Sequence, residues 1–204
     1  MAHTPVSRQW RLYVRNTHWM TAAVCAVCLC LYAVSGFILN NDSLFPASGL
    51  TEHKQLPLTA PLAAEIGALD SDVPLPAHTA DELARMFSVD ARYATVRKSK
   101  GKIDISLPEP GKRIAIEADL KAGTVSLDRT DRGIAAYLTD LHKGKNVRPL
   151  WHWFIDLFAI SVVVFTVTGF VLLCLQARAR KLTWPLILLG AVAPVLFLLV
   201  ILHL

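Results

Sequence analysis

Three long runs of the chain carry no charged side chain, and almost everything polar is gathered between the first and the second. Trp19 to Leu39 is uncharged over 21 residues, Leu157 to Leu175 over 19 and Leu182 to Leu204 over 23. At about 1.5 Å per residue each run can cross a hydrocarbon layer of about 30 Å, so each predicts a membrane-spanning helix. The second span can begin as early as Leu150 if Asp156 is accommodated, and Pro194 inside the third predicts a kink. The first run is longer than the roughly 7–15 apolar residues of a signal peptide, which predicts an uncleaved anchor.

The polar middle has a different rhythm. Residues 41–78 read as a weakly patterned linker punctuated by Pro46, Pro57, Pro61, Pro74 and Pro76. Thr79-Ala-Asp-Glu82 fits a capping box ahead of Leu83, Met86 and Phe87, which predicts a short amphipathic helix. Alternating apolar positions then predict about four antiparallel strands, at Tyr93–Lys98, Lys102–Leu107, Arg113–Glu117 and Thr124–Leu127. Ile134, Tyr137, Leu138 and Leu141 recur at helical spacing, and this second helix is expected to lie on the membrane surface and feed the second span.

Composition agrees with a membrane protein: of 204 residues 53% are hydrophobic and 18% charged, and the mean hydropathy is +0.42. The middle stretch from Asn41 to Pro149 is neutral, with 15 basic and 15 acidic residues. The surplus positive charge therefore sits at the membrane flanks, on Arg8, Arg11 and Arg15 and on Arg178, Arg180 and Lys181. That distribution implies contact with membrane lipid and no nucleic-acid partner. Short basic segments stay inside, so the expected topology has a cytoplasmic N-terminus, a cytoplasmic turn at 177–181, and the polar middle and C-terminus on the outer side. Trp10, Trp19, Trp151, Trp153 and Trp184 fall near span ends, where amphipathic rings collect. The four cysteines, Cys25, Cys28, Cys30 and Cys174, all lie in apolar runs and read as small packing residues, so no disulfide framework is expected. There is no P-loop and no G-x-G-x-x-G, which argues against a nucleotide-driven role.

The first two spans share a pattern. His18-Trp19 precedes Ser35-Gly36-Phe37-Ile38-Leu39, and His152-Trp153 precedes Thr168-Gly169-Phe170-Val171-Leu172, with His-to-Gly spacings of 18 and 17. Spans of opposite direction make this an inverted repeat, with His18 at the inner rim and His152 at the outer. The small residues also have a plain packing use, since they let helix backbones approach.

Taken in order, these features resemble the PepSY-associated transmembrane family, in particular its small three-span members. The resemblance rests on the arginines before His18-Trp19, the first span closing on Ser35-Gly36, the helix-plus-sheet middle, Leu141-His142-Lys143-Gly144, and Phe154-Ile155-Asp156 ahead of a span closing on Thr168-Gly169. It covers nearly the whole chain. It implies an α+β membrane protein of the bacterial inner membrane, with a periplasmic PepSY-like helix and antiparallel-sheet module between spans one and two. The expected organisation is a basic cytoplasmic tail at 1–17, spans at 18–40, 150–176 and 182–204, a linker at 41–78, and the periplasmic module with its surface helix at 79–149. Larger relatives look like inner-membrane proteins of iron uptake, some of them haem-containing reductases that pass electrons to ferric siderophores.

A membrane haem b needs two imidazoles at one depth, each ring held by an acceptor. The expected topology brings His142, His152 and His203 to the outer rim, and His142 and His152 are the candidate iron ligands. Asp156 follows His152 by four residues and could orient its ring; favourable placement at a helix N-terminus and pairing with Arg148 are other uses for that carboxylate. His18 is alone at the inner rim, so a second haem would need a homodimer or a partner membrane subunit. Each histidine also has an ordinary use, as a helix-end anchor for His18 and His152, a headgroup contact for His142 and a frayed terminus for His203. His53 and His78 read as solvated loop residues and His3 as part of the tail.

Two functions follow as expectations. One is a haem-binding electron-transfer or ferric-reductase accessory. The other is a non-catalytic anchored module that contacts a peptide, a protease or a transporter through an open sheet edge. No nucleophile–base arrangement in the middle segment points to hydrolysis.

Overall fold

The computed structural model describes residues 8–46, 49–99, 102–177 and 179–203; His3, Lys100, Gly101, Arg178 and Leu204 lie outside them. Three helices are long and apolar enough to cross a membrane: α1 (Arg8–Asn40), α5 (Pro149–Gln176) and α6 (Thr183–His203). Between α1 and α5 in chain order come β1 (Leu50–Pro57), α2 (Ala60–Ala68), α3 (Ala77–Phe87), β2 (Thr95–Ser99), β3 (Lys102–Leu107), β4 (Lys112–Asp119), β5 (Thr124–Asp131) and α4 (Gly133–Lys143). The chain forms two compact units. One contains the residues up to Leu29 and those from Leu157 onward; the other is Cys30–Asp156.

In the first unit the apolar windows of α5 and α6 have no buried residue. Greasy side chains on an outward surface suit a lipid solvent, where burial in protein is not needed to satisfy them. Among the described residues α1 runs from Arg8, so residues 8–17 are helical too. Thirty-three residues extend about 50 Å, well beyond the hydrocarbon thickness, which leaves the turns carrying Arg8, Arg11 and Arg15 outside the apolar window. Cys25 is fully buried, in keeping with a small packing residue, whereas Cys30 and Cys174 are exposed.

The second unit is built on a five-stranded antiparallel sheet in the order β1-β5-β4-β3-β2. Strict alternation puts Ile103, Ile105 and Leu107, Ile114, Ile116 and Ala118, and Val125 and Leu127 on one face, all buried. α2 and α3 cover that face with Leu62, Ile66, Leu83 and Phe87. The opposite face carries Arg97, Asp104, Arg113 and Glu117 and has no helix over it among the core contacts.

Two expectations need correction here. Residues 50–57 and 60–68, expected to be linker, form the fifth strand and a helix. β1 is an edge strand with seven of its eight residues exposed, so it lacks the apolar alternation that betrays a half-buried strand. Pro61 sits in the first turn of α2, where its missing N–H costs nothing, and therefore starts a helix instead of breaking one. The capping box also fails. α3 starts two residues before Thr79, and the buried Thr79 hydroxyl donates instead to Glu65 Oε2 on α2 at 2.7 Å. That bond, with His78 beside it, holds the Glu65 carboxyl below its ordinary pKa.

Candidate histidine sites in the two units

α4 ends at Gly144, which takes the left-handed conformation (φ 63°) that closes a helix, and His142 stands in its last turn. The helix is anchored by Asp140, a carboxylate only 5% exposed. Its Oδ2 accepts from Gly111 N at 3.0 Å, from Asn146 Nδ2 at 3.2 Å and from the Arg132 guanidinium. Trp151 Nε1 donates to Leu141 O at 3.0 Å, tying the start of α5 to the same turn. These bonds fix the backbone on both sides of His142.

The His142 ring lies on α1. Its Nδ1 is 2.9 Å from Ser35 Oγ, and the Ser35 hydroxyl itself donates to Tyr32 O at 3.1 Å. Tyr32 packs against the imidazole with centroids 4.9 Å apart and a tilt of 44°. A methyl on Gly36 would sit 3.2 Å from His142 Cε1, so the glycine makes the room. Residues 32, 35 and 36 share one helix face by their three- and four-residue spacing.

The same seat recurs in the other unit. His18 of α1 places Nδ1 3.2 Å from Thr168 Oγ1 and 3.1 Å from Phe165 O on α5. Its ring stacks on Phe165 at 4.7 Å and 11°, and a methyl on Gly169 would approach its Cε1 to 2.9 Å. The elements are again an aromatic ring, a hydroxyl three residues on, and a glycine. Because a carbonyl can only accept, the contact with Phe165 O assigns a proton to His18 Nδ1. In the His142 seat the serine proton is committed to Tyr32 O, so His142 Nδ1–H is the donor there as well. A neutral ring in either seat keeps its lone pair on Nε2, the form in which an imidazole binds a metal.

The remaining sequence candidates lie elsewhere. His152 is exposed; its ring comes near Gly144, and it lines a cavity of about 500 Å³ with Tyr93, Trp153, Arg92 and Asp72. No hydrogen bond joins His152 to Asp156 among the described residues, and Asp156 is exposed. Arg148, the other partner considered for Asp156, pairs with Asp90 at 2.8 Å. Asp90 also accepts from Arg92, and these cations, Arg92 first, bring its carboxyl down to about 2. His203 is exposed near Leu196 and Leu199 in the first unit, whereas His142 and His152 belong to the second. Among the described residues no three His, Cys, Asp or Glu side chains gather as a metal site.

The repeat seen in the sequence thus pairs differently in space. Ser35-Gly36 receives His142 from α4, while Thr168-Gly169 receives His18; His152, the histidine matched to His18 by sequence, occupies neither seat. Tyr32 and Phe165 were missed, although Tyr32-Ala-Val-Ser35-Gly36 and Phe165-Thr-Val-Thr168-Gly169 align without a gap.

Three helices long and apolar enough to cross a membrane, together with an antiparallel sheet backed by two helices, are consistent with a multi-pass membrane protein that carries a small α+β module. The family model described as "Putative PepSY_TM-like" matches residues 9–203, and the chain belongs to that PepSY-associated transmembrane family. No curated protein and no solved structure matches it.

Proposed function

We propose that this membrane-associated PepSY protein is a haem b-binding electron-transfer accessory of the bacterial inner membrane, serving ferric reduction in iron uptake. The observation that carries this reading is the pair of histidine seats. His142 sets Nδ1 against the Ser35 hydroxyl, and His18 shares its Nδ1–H between Phe165 O and the Thr168 hydroxyl, which sets ring orientation and leaves Nε2 to ligate. With that donor chemistry each seat would supply one imidazole to a haem iron. The second ligand would come from His152 at the outer site, or from a homodimer or partner membrane subunit. When bound, the haem supplies one-electron transfer; Ser35 and Thr168 hold the tautomer, and Tyr32 and Phe165 shield the imidazoles. The short basic segments favour a cytoplasmic N-terminus with the sheet module and C-terminus in the periplasm.

The test is the absorption spectrum of the purified full chain, oxidised and dithionite-reduced, from cells grown with excess haem. A Soret band and a reduced α-band that diminish in His142→Ala and His18→Ala are expected. Absence of both bands, including after reconstitution with haem, would retire the reading.

A second reading, an anchored binding module, is favoured by the two sheet edges. β2 is fenced by the segment before α3, through Asp72 N to Val96 O at 2.7 Å and the Pro74–Thr95 bridge. β1 has no backbone partner on its outer side among the described residues, so it is open to an added strand from a peptide or a transporter. A photo-crosslinker at Gln55 on β1 should then trap one discrete partner band in cells, and a smear equal to that from an exposed α3 position would sink it.

A further inference from the structure

The uncovered face of the sheet is not evenly charged. At the β2 side it hollows into a cavity of about 810 Å³ whose walls carry four cationic side chains, Arg97, Lys112, Arg113 and Arg132, against two carboxylates, Asp72 and Asp104. That volume lies in the range of small-molecule sites. Five cations of this unit are held in ion pairs among the described residues: Lys102 with Glu117 at 2.6 Å, Arg92 and Arg148 with Asp90, and, in the cavity wall itself, Lys112 with Glu109 and Arg132 with Asp140. Arg97 and Arg113 make no ion pair or hydrogen bond among the described residues, even though Asp104 stands directly opposite Arg97 in the β2–β3 register. Arg132 spends one NH₂ on Asp140, while its Nε is shut from solvent with no acceptor.

We propose that this cavity binds a small anion bearing two or more carboxylate or phosphate groups, gripped by the forks of Arg97 and Arg113 with Lys112 and Arg132 behind them. A guanidinium presents paired N–H donors that match such groups bidentately, and two of them lining one cavity, from β2 and from β4 with β3 between, select for an anion with more than one acidic group. Asp72 and Asp104 disfavour ligands that fill the cavity with negative charge alone, so hydroxyl-bearing polyacids fit best. The site stands independently of haem binding.

The experiment is calorimetric titration of the full chain in a neutral detergent with citrate and, separately, with pyrophosphate. Saturable binding is expected that weakens as sodium chloride rises and falls about tenfold or more in the Arg97→Ala/Arg113→Ala double variant. Both arginines are exposed, so the variant should fold, and an unchanged thermal midpoint checks this. Arg97→Lys/Arg113→Lys should lose part of the affinity because the fork is lost with the charge kept, and Lys121→Ala, an exposed cation on the β4–β5 turn, should lose none. Displacement of citrate by phosphatidylglycerol vesicles but not phosphatidylcholine vesicles would assign the anion to a lipid headgroup; no displacement by either would assign it to a soluble polyacid. No binding of either probe up to the millimolar range, or binding that the double arginine variant leaves intact, overturns the proposal.

Discussion

Ser35 Oγ and His142 Nδ1 stand 2.9 Å apart across 107 positions of sequence, and Thr168 and His18 repeat the relation across 150. In both seats the hydroxyl passes its own proton to a carbonyl on its own helix, so it is committed as an acceptor toward the imidazole. Ser35→Ala removes that acceptor and leaves the half-buried His142 N–H unsatisfied. The expected cost is about 1 kcal/mol, read as a lowered unfolding midpoint of the detergent-solubilised protein. Ser35→Thr keeps the hydroxyl and should recover most of the loss. Equal midpoints for the wild type and Ser35→Ala would show that the bond contributes nothing.

The two glycines differ in tolerance. A methyl at position 169 meets His18 Cε1 at 2.9 Å, a separation that real Cβ atoms essentially never show, while at position 36 the gap to His142 Cε1 is 3.2 Å. Gly169→Ala must therefore push the ring off Phe165, whereas at Gly36→Ala a few tenths of an ångström of movement suffices. Overpacking of this kind costs about 1–3 kcal/mol, and the order Gly169→Ala worse than Gly36→Ala is the expectation. A thermal comparison of the two variants in one detergent checks it; the reverse order would contradict the described ring positions.

How much of this could be read in advance depends on whether the signal was local. The three apolar helices, the strands β3 and β4 and the helix α3 each announce themselves within their own residues, through uncharged length, alternation of Ile with polar neighbours, or helical spacing. β1 does not: Glu52, Lys54 and Leu56 occupy its core-side positions, and Lys54 reaches over the Phe87 ring instead of burying an apolar side chain. The histidine seats were half legible. The receiving motif is written twice in the sequence, yet the histidine each receives is chosen by tertiary packing: His152, which matches His18 in the repeat, takes neither seat, and His142 takes the one at Ser35-Gly36. Asp140 gave no signal at all, since its role depends on Gly111, Arg132 and Asn146 arriving from three directions.

Gly111 and Asp140 form the joint between the sheet and α4. Gly111 has φ +72°, and a Cβ there would lie 2.8 Å from Tyr137 Cβ and 3.0 Å from Tyr137 Cα, so neither conformation nor space admits a side chain. Gly111→Ala should cost about 2 kcal/mol or more. Asp140→Ala strands the Arg132 charge and two N–H donors, for which about 3–5 kcal/mol is expected. Because both variants release the same joint, their combination should cost less than the sum of the two. Unfolding of the three variants measures this, and strict additivity would mean that the two residues do not act through one contact.

Asp90 makes the acid stability of the second unit titratable in a defined window. Arg92 and Arg148 hold its carboxyl at about 2 in the folded chain, against an ordinary value near 3.8. A carboxylate depressed on folding stabilises the native state above its unfolded pKa, and that contribution is lost as pH falls through the folded one. The wild type should therefore exceed Asp90→Asn in unfolding midpoint by a constant margin down to about pH 4, and the two curves should converge between about 4 and 2. The margin itself will be modest, because the carboxylate is partly open to solvent and its partners Arg92 and Arg148 are largely exposed. Thermal unfolding of both proteins across that pH range is the measurement. Curves that stay parallel to pH 2 would show that the Asp90 cluster has no folded-state preference for the ionised form.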